Sequence, residues 1–222
     1  MAPRAEPSAE PRAPLSRDRV LRTAITLADE GGIASLTMRK LAQVLAVEAM
    51  SLYHHVANKD ALLDGMVDIV VSEVALPAGG ADWKAAIRGS AISAHEVFLR
   101  HRWACGLMMA QAGVGPARLR WMDAVLGTLR AAGFSAALTC HAYHALDSHI
   151  SGFTLWEASF PPAAELRDVA ATVLRELPVD EYPHLAEHIE QHLTPSDHDA
   201  GGEFEFGLDL LLDSLERLRG RA

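Results

Sequence analysis

Two cysteines, Cys105 and Cys140, are all the chain has. That is too few for a disulfide framework, and their spacing is not that of metal ligands. A reducing cytoplasm is the expected setting. No apolar run approaches the roughly 20 residues that span a bilayer, so no membrane partner is expected. Arg4 and Arg12 have no apolar core behind them, which argues against a secretory signal. Positive charge is also scarce: 20 Lys and Arg against 29 Asp and Glu leave a net charge of −9. Taken globally, that balance argues against nucleic acid. G-x-S-x-G, H-E-x-x-H, a P-loop and C-x-x-C are all missing, so enzymes built on those motifs are excluded.

What is present is helical and unevenly charged. Half of the 222 residues are hydrophobic, enough for a real core. Residues 1–14 are rich in Pro, Ala, Arg and Glu and read as a disordered arm. Residues 15–60 hold six basic and five acidic side chains; residues 61–222 hold twelve and twenty-two. The acidity therefore belongs to the C-terminal part, and a near-neutral head stays compatible with DNA. Ser16, Thr37 and Asn58 are expected to cap successive helices, and Gly31-Gly32 to end the first. Further helices are expected at 82–101, 103–111, 115–131, 135–159, 162–176, 183–192 and 203–219, between Gly and Pro breaks. The fold class is all-α. A three-helix head over 15–76 precedes a larger helical body over 82–222, with Pro77-Ala78-Gly79-Gly80 between them.

Residues 36–59 hold two short helices around a tight turn, then the start of a third. A helix-turn-helix sets its second helix in the major groove, which needs small or polar outward side chains. Ala49, Met50, Ser51, Tyr53 and His55 meet that need, with hydrogen-bond donors and with groups that can touch a thymine methyl. Arg39 and Lys59, each at a helix start, suit backbone phosphates. The same spacing fits an ordinary helical hairpin with a polar face.

The residues decide further. Thr37-Met38-Arg39, Leu41-Ala42, Val47, Leu52-Tyr53 with His55, and Asn58-Lys59-Asp60-Ala61-Leu62-Leu63 strongly resemble the DNA-binding domain of the TetR family of bacterial transcriptional regulators. The resemblance covers about residues 16–75. It implies that Thr37, Arg39, Ala49, Met50, Ser51, Tyr53, His55 and Lys59 face double-stranded operator DNA, with Tyr53, Lys59 and often Thr37 on phosphates. The family usually has Gly where this chain has Ala46, and a left-handed Ala costs roughly 1 kcal/mol. Ala49 offers no hydrogen bond, so the operator sequence does not carry over.

Trp83, Gly133-Phe134-Ser135, Gly152-Phe153-Thr154-Leu155 and the stretch 204–212 resemble, more loosely, the body of the tetracycline-responsive subgroup. The resemblance implies a homodimer built on two long helices per subunit, here 135–159 and 203–219. Phe204, Leu208, Leu211, Leu215 and Leu218 form an apolar stripe on the last helix that suits such an interface or an intrachain core. It also implies a small-molecule effector in the body. Met108, Met109, Trp121, Met122, His141, His144, His149, Phe153 and Trp156 are candidates to line its pocket, although each also reads as plain core. Tetracycline itself is not expected. Ser72-Glu73-Val74-Ala75 lacks the histidine of its binders, and Ser90 and Ala94 stand where they carry Asn and Phe. His184, His188 and His192 recur every four residues, near Asp197 and His198. Such pairs can share a metal, but Glu187 and Glu190 make this an ordinary solvated face, and no metal or cofactor is expected.

The resemblance thus implies a ligand-responsive repressor that binds a palindromic operator as a homodimer and leaves it when an effector binds. Two alternatives stay open: a constitutive DNA-binding regulator without ligand, and an all-α enzyme in which a pair such as His144 and Asp147 would need a third partner.

Overall fold

In the computed structural model the described residues are 14–80, 82–110, 114–160, 163–193 and 200–220. Apart from Pro14, the expected arm lies outside them, as do Gly113, Pro161-Pro162, Asp197 and His198. Among the described residues there are eleven α-helices, one short 3₁₀ turn and no strand. The chain divides into two compact units between Met66 and Val67, within one helix.

The first unit starts with α1 (Arg17–Gly31), whose first turn is capped by Ser16 Oγ accepting from the Arg19 amide at 3.2 Å. Val20, Leu21, Ala24, Leu27 and Ala28 bury one face of it. Gly32, at φ 73°, ends the helix in a conformation that glycine adopts at least cost. After a 3₁₀ turn (Ile33–Ser35), Thr37 Oγ1 caps α2 (Met38–Leu45) by accepting from the Lys40 amide at 3.1 Å. Ala46 then takes the left-handed conformation, φ 54° and ψ 48°. Its amide returns to Gln43 O (3.2 Å) and the Val47 amide to Ala42 O (3.0 Å), which satisfies two terminal carbonyls. Those bonds offset the backbone cost of alanine at this position. Next comes α3 (Ala49–Leu52), shorter than a helix expected from about Ala49 to His55, because the His55 and Val56 amides both fold back onto Leu52 O. Asn58 Oδ1 caps α4 (Lys59–Ser72) through the Ala61 amide at 2.7 Å. Leu36, Leu41, Leu45, Leu52, Val56, Leu62 and Met66 close the core of this unit.

The second unit is a helical body around α5 (Trp83–Arg100), started by Asp82, whose Oδ1 accepts from the Lys84 and Ala85 amides. Along the chain follow α6 (Ala104–Ala110), α7 (Pro116–Ala131), α8 (Ala136–Ser159), α9 (Ala163–Glu176), α10 (Pro183–Leu193) and α11 (Ala200–Arg219). The helix α5 packs on α7, α8 and α11; α6 packs on α8; α9 and α10 pair with each other. Phe98, Phe134, Met108, Leu129, Phe204 and Leu208 are fully buried there. Arg88 reaches Asp209 (2.8 Å) and Glu205, and Lys84 reaches Asp213, so charge fixes the register of α5 against α11. Half-exposed pairs of this kind add little net stability.

Candidate functional sites

The expected DNA-facing residues all lie on the accessible side of the first unit. Thr37, Arg39, Met50, Tyr53 and Lys59 are exposed, and Ala49, Ser51 and His55 are half-buried. Leu52 and Val56, between them, are buried and anchor the segment. Met50 is 73% exposed, an apolar side chain held in water with no packing role. Arg39 and Lys59 stand in the first turns of α2 and α4, where helix ends favour anions. No residue of 36–59 other than Glu48 is acidic.

The pocket candidates separate into groups. Met108 and Trp121 are buried, and Trp121 Nε1 donates to Ser90 Oγ at 3.0 Å while its ring meets Phe98 edge-on. His149 and Phe153 join a ring cluster with His95 and Phe204. Trp156 leans on Phe153 and Phe160 but is 48% exposed, and Met109 is 53% exposed. Met122 is half-buried, and His141 and His144 are exposed on α8, His144 beside Cys140 at 3.7 Å. The expected interface stripe also divides. Phe204, Leu208 and Leu215 are buried within their own chain, Leu211 is half-buried, and Leu218 is exposed. Phe206 and Leu210, on the other face of α11, are 68% and 55% exposed. His184 and His188 are exposed on α10, the His192 side chain lies outside the described residues, and no described group of three His, Cys, Asp or Glu could hold a metal.

The ring cluster contains a histidine that sequence reasoning passed over. His95, on α5, is buried and stacks on Phe204 at 4.0 Å. Thr154 Oγ1 donates to Ile150 O at 2.6 Å, so it accepts from His95 Nδ1 at 2.9 Å. That places a proton on Nδ1. The other nitrogen lies 3.1 Å from Glu157 Oε2, an oxygen with no other described partner. Burial, and then His149, push His95 down to about 4. Burial also pushes the Glu157 carboxyl up. The first direction describes a neutral imidazole near neutral pH; the second favours the protonated form of the carboxyl beside it.

A pH test follows. The unfolded chain protonates this imidazole below about 6.5, the folded chain only near 4. In that window the unfolded state binds more protons, so stability falls as the pH is lowered. Glu157 acts in the opposite sense, because its raised carboxyl is protonated in the fold first. In Glu157→Gln the opposing effect is gone and an amide still faces Nε2. Urea midpoints should then fall further between pH 6.5 and 4 than in the parent. Equal falls would mean that Glu157 does not take up its proton in the fold ahead of the unfolded chain.

Contacts to α7 and to α5 hold the end of α4 and the residues after it. Asp68 Oδ1 accepts from the Ala117 amide at 2.7 Å, capping α7 where Gly115 has no side chain to do so. A side chain at Gly115 would collide with that carboxylate. Ser90 Oγ accepts from Trp121 and donates to Ala75 O at 2.7 Å, and Ser93 Oγ accepts from the Ala75 amide.

Comparison with known proteins places the chain. A family model for bacterial regulatory proteins of the tetR family matches residues 20–66, and one for the tetracyclin repressor-like C-terminal domain matches 76–219. The chain belongs to the TetR family of transcriptional regulators. An HTH-type transcriptional regulator of Saccharopolyspora erythraea is 35% identical over 78% of this chain and 74% of its own length. The HTH-type transcriptional repressor DrrR1 of Streptomyces coeruleorubidus is 30% identical over 96% and 81%. Among solved structures, the Streptomyces coelicolor TetR family protein ActR in complex with actinorhodin matches with a TM-score of 0.78 and 30% identity. That match covers 94% of this chain and all of ActR. The all-α architecture with an N-terminal helix-turn-helix is shared with these neighbours.

Proposed function

We propose that the protein is a ligand-responsive transcriptional repressor that binds a palindromic operator as a homodimer in the bacterial cytoplasm and releases it when a small molecule occupies the body. The observation that carries the reading is the pairing of an exposed, nearly acid-free helix-turn-helix with a helical body matched over almost its whole length to repressor-like proteins. The ligand-bound structure of ActR supports the effector step. Palindromic sites mirror the two-fold symmetry of a dimer. Regulation, not catalysis, is the role common to these relatives. No described helix is long and apolar enough to cross a membrane.

Thr37, Arg39, Tyr53 and Lys59 serve as phosphate contacts in this reading; Ala49, Met50, Ser51 and His55 approach base edges. The test is an anisotropy titration against an operator selected from random duplexes. Tyr53→Ala and Lys59→Ala should weaken binding on every sequence alike, and each lost phosphate contact should lower the salt slope by about 1. Ser51→Ala should instead change which duplexes are selected. An unchanged slope in both Tyr53→Ala and Lys59→Ala would overturn the contact assignment.

A further inference from the structure

Met50 carries the most exposed large apolar side chain among the described residues, at 73%. Its backbone is nevertheless held in place. Leu52, two residues on, is fully buried. The Leu52 carbonyl accepts from the His55 and Val56 amides at 2.9 and 3.0 Å, and the Met50 carbonyl accepts from the Tyr53 amide at 3.2 Å. At about 100° per helical residue, Met50 and Leu52 lie about 200° apart around α3. Burying Leu52 therefore turns Met50 away from the core. The result is a fixed turn of helix that holds a flexible thioether chain in water. Covering that chain with apolar surface is favourable, and its unbranched form adapts to what covers it.

A single exposed apolar side chain is ordinary on a protein surface. This one takes its meaning from its neighbours. From Glu48 to Val56 the chain has no Arg, Lys, Asn or Gln. Those are the side chains that read guanine and adenine through paired hydrogen bonds. The second helix of this helix-turn-helix therefore lacks the usual readers. Ser51 is half-buried, and its hydroxyl suits more than one base. Glu48 is exposed, and its carboxylate can accept only from the cytosine amino group. Ala49 and Met50 offer carbon alone. The carbon group that a base edge presents in the major groove is the C5-methyl of thymine. The same group at the same place distinguishes 5-methylcytosine from cytosine, and its loss turns thymine into uracil.

We infer that Met50, with Ala49 beside it, reads a pyrimidine C5-methyl group in each half-site, so that operator affinity responds to cytosine methylation at that position. The inference rests on the proposed operator binding and names the chemistry by which one sequence is told from another.

The experiment uses the full chain and the operator selected from random duplexes, titrated by anisotropy at one salt concentration. Each thymine is replaced in turn by uracil, in both half-sites together. At the position that meets Met50 the loss should be about fifteenfold, roughly fourfold for each methyl left out. With cytosine placed there instead, C5-methylation should strengthen binding by a similar factor. Both pairs differ by the methyl alone, so hydrogen bonding to the base edge is unchanged within each. Met50→Ala should bind the thymine and uracil duplexes equally, and the two cytosine duplexes equally. Met50→Leu keeps the carbon surface and should retain both preferences. Because Met50 is exposed, each variant should melt with the parent. Uracil tolerated at every thymine, equal binding of the two cytosine duplexes, or a preference that survives Met50→Ala would each overturn the inference and leave operator binding standing. Selection of no duplex at all would overturn the regulatory function, and this inference with it.

Discussion

Glutamate at both Phe206 and Leu210 is expected to give a folded monomer that binds operator DNA about a hundredfold more weakly, the scale lost when two linked sites become independent. The choice of these two positions rests on their exposure. The α11 helix is apolar on two faces. Phe204, Leu208, Leu212 and Leu215 fill the chain's own core, each 6% exposed or less. Phe206 and Leu210 point the other way into water. Large apolar side chains held in water on one helix face mark a surface that a partner covers. The exposed run of α8, with His141, His144, Ser148, Gly152 and Leu155, offers small and polar positions of the kind a second helix can approach closely. A charge at Leu208 or Leu215 would be buried without a partner and would unfold the subunit, so loss of binding there would say nothing about assembly. Sedimentation and circular dichroism check the outcome together. A helical monomer with weak operator binding is expected, and a dimer that survives both glutamates would place the interface elsewhere.

The same stripe shows how far the sequence could be read. Its period placed α11 and its burial correctly, but Leu211 and Leu218 sat in the same arithmetic as Phe204 although the fold leaves them half-buried and exposed. Periodicity identifies an apolar face; it does not say which neighbour covers it. The capping residues were legible because they act within one turn: Ser16, Thr37 and Asn58 each accept from the amide three residues on. The left-handed Ala46 was legible for the same reason, since the turn motif fixes the backbone whatever the side chain. The body's chemistry was much less so. His95 meets Thr154 across 59 positions, and Asp68 meets Ala117 across 49. No local pattern encodes such pairs.

Asp68→Ala is expected to cost about 2 kcal/mol, the range for a hydrogen bond to a charged group. It is also expected to lower operator affinity severalfold without dissociating the dimer. The stability loss follows from local chemistry. Pro116 opens α7 and has no amide to donate, and Gly115 has no side chain to accept, so the Asp68 carboxylate is what satisfies the Ala117 amide. A carboxylate there also meets the positive end of the helix dipole. Asp68→Asn keeps an acceptor without the charge and should recover about half of the loss. The effect on DNA follows from the course of α4. This helix carries Lys59 in its first turn and Asp68 further along, and the residues after it are held by Ser90 and Ser93 on α5. Ser90 in turn accepts from Trp121, on the helix that Asp68 caps. Two linked contacts, one from Asp68 to α7 and one from Ala75 to α5, therefore hold the end of α4 and the residues after it. Freeing one of them widens the range of positions that Lys59 samples, and ordering it again on DNA costs affinity. Urea denaturation measures the first effect and anisotropy at constant dimer concentration the second. If Asp68→Ala is destabilised but binds the operator as the parent does, the Asp68 contact serves the stability of the body and not DNA binding.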